Sequence, residues 1–422
     1  MSVAPRRARL RAGGVQVLAR TLRPVLDVAG VASGVTEILD AVRDRGDDAL
    51  VEGARRFDCP DFTHDRLRVP PATLARAAAG LDDRLRVAIG VAAAQVRQVA
   101  EAVLPGDHDV SLPTGQRIQV RSVPVDAAGC YVPGGRAAYP SSLIMGVVPA
   151  QVAGVGRIVV VSPPGPDGRP AESILATAAL LGVEEVYAAG GAAAVGALAF
   201  GTASIAPVAV IVGPGSPWVQ EAKRQVVGTV GIDGVAGPSE VMIIADATCA
   251  PRAIALDLLA QAEHGADSPA VMVSDDPRVV DAVAEELRGL PDAIGPITLV
   301  ECASMPLAIE LAEAFAPEHL EIATRDAGAI ASSITRSGAV FIGPNGATAF
   351  GDYVAGSNHV LPTGGAARHA SALGPTTFLR RMSVVDMTDD AVEALTPHLA
   401  ALADAEGFVM HRRSAEARRR AS

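Results

Sequence analysis

The chain has 422 residues, of which 49% are hydrophobic, 20% charged and only 3% aromatic. That length exceeds one ordinary core and implies at least two domains, and the composition excludes a disordered chain. Lys and Arg number 36 against 47 Asp and Glu, a net charge of −11, so the surface repels nucleic acid and anionic membranes.

Taken from the start, MSVAPRRARLRAGG lacks the continuous apolar stretch of a secretory signal, and no later run is long and apolar enough to span a membrane. A cytoplasmic protein is expected. Residues 1–27 read as a short basic helical arm, and 34–60 and 71–104 as amphipathic helices with Ala and Val at helical spacing. Arg157–Ser162 is a β-branched run followed by Pro163-Pro164-Gly165, the pattern of a strand buried on both faces. A helix over 171–181 leads to a strand over 185–189, closed by Gly190-Gly191. After another helix, a strand over 208–212 is closed by Gly213-Pro214-Gly215. Strand and helix alternating at this spacing predict a parallel sheet.

The alternation resumes with strands at Ala270–Ser274, 297–301 and Ala339–Ile342, separated by helices over 277–290 and 306–315. The expected fold is therefore α/β, with two incomplete Rossmann-like doubly wound units. Residues 28–128 are grouped with 239–373 in a first unit, and 129–238 form a second. From 374 a helical tail runs to Arg418-Arg419-Arg420, a charge run read as solvated. Cys59, Cys130, Cys249 and Cys302 are too far apart for a metal knuckle or redox pair and are read as reduced and mostly buried.

Open parallel sheets bind ligands at the C-terminal ends of their strands, where the two glycine-rich exits would let bare backbone approach a phosphate. Tight turns want glycine too, and no GxGxxG fingerprint is present. Gln261-Ala262-Glu263-His264 places Gln261 and His264 on one helix face, with Gly265 ending the helix. Asp352 and His359 lie in a glycine-rich segment too irregular for a core element, and His411 follows Glu406 in the tail. Such nitrogen and oxygen donors suit zinc. The alternative is a helix-terminal histidine with scattered surface polar groups. In Pro317-Glu318-His319-Leu320, adjacent Glu and His point different ways, which allows separate proton transfers at one site but also fits surface decoration.

Several blocks together resemble histidinol dehydrogenases. They are Gly129-Cys130-Tyr131-Val132-Pro133-Gly134-Gly135, Ala138-Tyr139-Pro140-Ser141-Ser142, Ala236-Gly237-Pro238-Ser239-Glu240, Gln261 through Gly265, Ala316 through Glu321, and Gly351-Asp352-Tyr353 through Thr363. The resemblance runs in family order over roughly 30–411. It implies zinc held by Gln261, His264, Asp352 and His411, the last from a partner subunit's tail. L-histidinol would be bound by Ser239, Gln261, His264, His319, Asp352, His359, Glu406 and His411. His319 would be the base, Glu318 would activate water, and Tyr131 would flank NAD. A homodimer with shared sites is implied, the segment 374–422 being its dimerisation tail.

Two departures fall on the NAD side. Ala193 stands where the family has Gln, and Ser216 where it has Asn, so two polar cofactor contacts are missing. The stretch between Leu290 and Ile297 is also shorter than is usual. A paralogous zinc- and NAD-dependent dehydrogenase of another amino alcohol or small alcohol is the alternative, followed by a non-oxidising zinc pocket that binds or hydrolyses its ligand.

Overall fold

The computed structural model describes residues 5–24, 29–134 and 138–419 of the chain. Its strands in chain order begin β1 (Arg6–Leu10), β2 (His108–Ser111), β3 (Arg117–Pro124), β4 (Ala127–Tyr131), β5 (Arg157–Ser162), β6 (Glu185–Ala188) and β7 (Val210–Val212). They continue β8 (Gly231–Ile232), β9 (Val241–Ala245), β10 (Ala270–Ser274), β11 (Ile297–Cys302), β12 (His319–Ala323), β13 (Ala339–Ile342) and β14 (Leu379–Asp386). Among the described residues they form two parallel sheets, ordered β6-β5-β4-β7-β8 and β1-β11-β10-β9-β12-β13. A small antiparallel sheet, β14-β3-β2, stands apart from both.

The central strands β4, β9 and β10 are buried at every position, as expected where helices cover both faces of a parallel sheet. With few aromatics to fill space, helices approach the sheet closely. Gly129 of β4 shows this, since a Cβ there would lie 2.8 Å from Leu198 of the helix Gly191–Phe200. In both sheets the order reverses at an inner strand: the chain leaves β4 for β5 and β6 and returns beside it as β7, and leaves β9 for β10 and β11 and returns as β12. Such switch points open a crevice between neighbouring strand ends.

The two doubly wound units are present; several local expectations give way to tertiary pairing. The N-terminal arm is not simply helical. Within its described part, Arg6–Leu10 adds β1 to the edge of the six-stranded sheet before the helix Val15–Thr21, while residues 1–4 and 25–27 lie outside the described residues. Arg7 and Arg9 face Asp281 and Glu301 at 2.7 and 3.0 Å, and charge of this kind on an edge discourages further strand pairing. The expected helix over 34–60 is two, Ala29–Arg45 and Asp47–Phe57, broken where Gly46 takes φ 55°. That over 71–104 is also two, Pro71–Gly80 and Asp83–Ala102, the second begun by Asp82, which accepts N–H bonds from Arg84 and Leu85 at 3.0 and 3.2 Å. The tail is not wholly helical. A 3-10 turn, Pro375–Phe378, leads into β14, paired antiparallel to β3 far upstream, before the helices Asp389–Ala405 and Val409–Glu416; Arg420 is outside the described residues.

The packing also departs from the expected grouping of 28–128 with 239–373. Helix Ala29–Arg45 lies on Gly191–Phe200 and Pro217–Val226, Pro71–Gly80 on Glu172–Leu180, and Asp83–Ala102 on Pro140–Val152, all belonging to the five-stranded unit. The reason is a shared apolar core: Val35, Leu39 and Leu50 are buried with Val159, Tyr187 and Leu198. Cys59, Cys130 and Cys302 are buried and Cys249 partly so, and all four are free thiols. No helix among the described residues is long and apolar enough to cross a membrane.

Candidate active site

One cavity of about 1680 Å³ is lined by residues of both parallel units. The two units reach it from opposite strand ends. In the five-stranded sheet the lining comes from C-terminal ends: Tyr131 closes β4, Gly190-Gly191 follow β6 and Gly213 follows β7. In the six-stranded sheet it comes from the N-terminal edge, against the general rule. Ser239 precedes β9, Glu318 precedes β12, and His319 is the first residue of β12, a strand not foreseen from the sequence.

His319 is placed by a turn that ordinary residues resist. Helix Met305–Phe315 ends at Ala316 in the left-handed region, φ 51°, the one positive φ outside glycine among the described residues. Arg23 secures this turn. Its guanidinium bonds both oxygens of buried Glu240 at 2.8 Å, donates to the carbonyls of Phe315 and Ala316, and lies 3.8 Å over the Phe315 ring. The Glu240 main chain then receives the next residues: its N–H donates to Glu318 Oε2 at 2.9 Å, and its carbonyl accepts from His319 N at 3.2 Å. Neither Arg23 nor Glu240 was assigned a role from the sequence. Only the doubled Arg-to-carboxylate geometry, invisible in one dimension, reveals it.

His319 is buried, with Nε2 3.4 Å from Asp352 Oδ1 and Nδ1 3.5 Å from Glu318 Oε2. Burial alone would lower its pKa, but the two carboxylates outweigh burial and push it up to about 10. Asp352 sits on the short helix Thr348–Tyr353, more regular than its glycine-rich surroundings suggest. Burial raises its carboxyl, yet hydrogen bonding to His319 and the nearby His359 and His264 hold it below the usual range. The start of that helix is tied down by buried Glu321, which accepts from Thr348 N at 2.7 Å and from Thr348 Oγ1. Glu321 in turn faces Asp257, one helical turn before Gln261; burial raises both acids, the Asp257 charge raises Glu321 further, and the hydrogen bond from Glu321 offsets part of the rise at Asp257.

His359 donates Nδ1–H to the Asp352 carbonyl at 2.7 Å, leaving a bare Nε2 3.4 Å from Ser142 Oγ. Burial lowers its pKa, so the ring stays neutral. Gln261 is buried, with its Oε1 3.4 Å from Ser239 Oγ and its Nε2 lacking any partner. An orphaned buried amide of this kind costs stability unless a ligand completes it. His264 lines the same cavity beside the end of that helix. There the shortened stretch packs in: Gly295 N–H donates to Ala262 O at 2.9 Å, and a Cβ on Gly295 would lie 2.5 Å from Gly265 O.

On the other wall, Tyr131 joins the two glycine loops. Its hydroxyl accepts from Gly191 N at 3.2 Å, and its carbonyl packs so tightly on Gly213 that a Cβ there would sit 2.1 Å away. The buried pair Lys223 and Asp233 grips the Gly213 peptide: Asp233 Oδ2 accepts its N–H at 2.8 Å and Lys223 Nζ donates to its carbonyl at 3.0 Å. Ala193 and Ser216 line the cavity at the first turns of the helices Gly191–Phe200 and Pro217–Val226, neither of which has a side-chain cap. Uncapped N–H groups there suit an anionic ligand.

Ser239, His264, Glu318, His319, Asp352 and His359 thus share one cavity with Tyr131, Ala193 and Ser216, and Gln261 adjoins it. Glu406 and His411 do not join them within the chain. Both are exposed in the tail, where the His411 ring lies 5.1 Å from Phe408. Among the described residues no three His, Cys, Asp or Glu side chains are gathered to hold a metal ion. The chain alone offers a partial donor set.

The match to known proteins covers nearly the whole length. The family model for histidinol dehydrogenase fits residues 21–419. The chain belongs to the histidinol dehydrogenase family. It is similar to the histidinol dehydrogenase of Streptomyces avermitilis, 42% identical over 413 residues, spanning 94% of this chain and 93% of that one. To that of Rhizobium meliloti it is 45% identical over 393 residues, 90% of each. The crystal structure of histidinol dehydrogenase from Elizabethkingia anophelis superposes with a TM-score of 0.93 at 30% identity, covering 98% of both chains. Membership of this family makes the chain a dehydrogenase, and the motif blocks that carry the resemblance are the ones that converge on the cavity.

Proposed function

We propose that the chain oxidises L-histidinol through L-histidinal to L-histidine, transferring two hydrides in turn to two NAD molecules. The observation that carries this is the meeting of His319, Glu318 and Asp352 with the two glycine loops in one cavity. The residues present fit a zinc ion by the chemistry of their donors: Gln261 offers an amide oxygen, His264 an imidazole nitrogen and Asp352 a carboxylate, at or beside one cavity. These three would hold the ion, with His411 from the tail of a second copy as the fourth ligand. Bound there, zinc supplies a Lewis-acidic anchor for the substrate's imidazole and amino nitrogens. NAD would supply the hydride acceptor, and Tyr131 with the main chain near Ala193 and Ser216 would hold it.

In the first oxidation His319 takes the hydroxyl proton as the hydride leaves the carbinol carbon. Of the two carboxylates that raise His319, Asp352 is the one assigned to the cation, so its charge is engaged when the ion is bound. In the second, Glu318 removes a proton from the water that adds to the aldehyde. The protonated His319 gives its proton to the aldehyde oxygen as that water adds, which forms the hydrate and leaves the imidazole neutral. It then takes a hydroxyl proton from the hydrate as the second hydride departs. Ser239, His359 and Glu406 orient the amino alcohol, the last from the second copy. A homodimer is supported by exposed apolar side chains at both ends of this contact: Leu402, Phe408 and Met410 on the tail, and Ile342, Phe350 and Tyr353 beside the site. A soluble biosynthetic role fits a cytoplasmic setting.

Incubation with L-histidinol, zinc and NAD tests the reading. Two NADH per histidinol consumed are expected; oxidation of other small amino alcohols with none of L-histidinol would transfer the chain to a paralogous activity.

A further inference from the structure

The cavity continues past the glycine loops into a region that the proposed chemistry does not use. There the helix Pro217–Val226 faces Ala29–Arg45, and the wall includes Trp218, Gly34, Ile38 and Ala41. Trp218 is the chain's single tryptophan, two residues beyond Ser216. Its side chain is 41% exposed although it belongs to the cavity wall. Gly34 makes room for it: a Cβ there would lie 2.9 Å from both Cη2 and Cζ3 of the indole, so the ring edge rests on bare helix backbone. A rigid ring wedged along one edge, with area left open to a cavity, is prepared for stacking at little entropic cost.

We propose that Trp218 is the stacking platform for the adenine ring of the dinucleotide. The assignment rests on the reading that NAD binds at the glycine loops. The reacting carbon must lie at His319, which fixes the nicotinamide end. The uncapped helix starts at Gly191 and Pro217 take the phosphates in the middle, and the adenosine end then continues along the same cavity, whose wall includes Trp218. With Ala193 and Ser216 in place of amide side chains, stacking supplies affinity that polar contacts do not. An aromatic face accepts a base without any hydrogen-bond match.

Because Trp218 is the only tryptophan, its emission reports on this region directly. Titrating the full-length, zinc-loaded protein with adenosine monophosphate is expected to quench that emission saturably and in competition with NAD. Nicotinamide mononucleotide, which lacks adenine, should leave it nearly unchanged. By calorimetry, Trp218→Leu is expected to bind NAD about tenfold more weakly, with the affinity for nicotinamide mononucleotide and the zinc content unchanged. Trp218→Phe should retain most of the NAD affinity. Gly34→Leu, which displaces the indole without removing it, should reproduce the Trp218→Leu pattern and serves if that variant does not fold. Absence of quenching by adenosine monophosphate, or wild-type NAD affinity in the folded Leu variants, would overturn the stacking role. Failure of the wild-type protein to bind NAD at all would instead overturn the reading beneath it, and this one with it.

Discussion

The two walls of the cavity are made of different material. The six-stranded unit contributes functional side chains from the N-terminal edge of its sheet, each held by a specific partner: His319 by Glu318 and Asp352, Glu318 by the Glu240 main chain, Asp352 through a helix anchored on Glu321. The five-stranded unit contributes main chain at C-terminal strand ends, with Tyr131, Lys223 and Asp233 holding glycine peptides in place. A wall of side chains loses its chemistry when one residue changes. A wall of main chain tolerates change wherever a Cβ has space and fails only where it has none. Ala193 and Ser216, the two positions at which the sequence departs from the family resemblance, both lie on the main-chain wall.

The contrast breaks most sharply at His319. His319→Asn should lower turnover by about 10²–10⁴-fold, the usual contribution of a general base, with zinc content by atomic absorption unaltered. Full turnover would mean that the side-chain wall does not supply the base. Removing the chain after Gly407 deletes His411 and should lower zinc stoichiometry as well as activity. Unchanged metal content in the truncated protein would show that the partial donor set is sufficient without the tail.

On the main-chain wall the expected effects are smaller and depend on position. Gly213→Ala puts a Cβ against the Tyr131 carbonyl at a φ of 120°, and should destabilise the fold by about 1–3 kcal/mol and weaken NAD binding. By contrast, Ala193→Gln should leave stability alone and tighten NAD by about 2- to 10-fold, the worth of one polar contact. If the two substitutions have equal effects on thermal stability, the rule that the main-chain wall fails only where a Cβ has no space is wrong.

The smallest effect concerns pH. Burial raises the Asp257 and Glu321 carboxyls above their ordinary values, helped at Glu321 by the Asp257 charge, so the folded chain holds protons there more readily than the unfolded chain. Their contribution is therefore fully present below the usual carboxylate range and is lost as pH rises toward neutrality. Asp257→Asn should flatten this part of a thermal-denaturation profile, and an unaltered slope would show that the pair does not carry it.

How much was legible in the sequence follows the same division. Gln261, His264, Glu318, His319, Asp352 and His359 stood out as polar residues in distinctive local patterns, and it was the family resemblance that turned those patterns into expected site positions. The buried strands announced themselves by unbroken apolar runs. Arg23, Glu240 and Glu321 passed unnoticed because what matters is whom they bind, across more than two hundred residues for Arg23 and Glu240. Lys223 and Trp218 sit in a helix that reads as ordinary. β1, β12 and β14 are too short or too polar for their own periodicity to mark them; pairing with distant strands creates them.

By itself, then, the order of amino acids determined the α/β class, the central strands and the chemically distinctive residues, since these depend on local hydrophobic pattern and residue type. The folded chain alone decided which strand ends face the cavity, that residues 29–102 pack with the five-stranded unit, and that Glu406 and His411 stand away from the site of their own chain. Those outcomes arise from contacts between segments far apart in sequence, whose geometry no local pattern encodes.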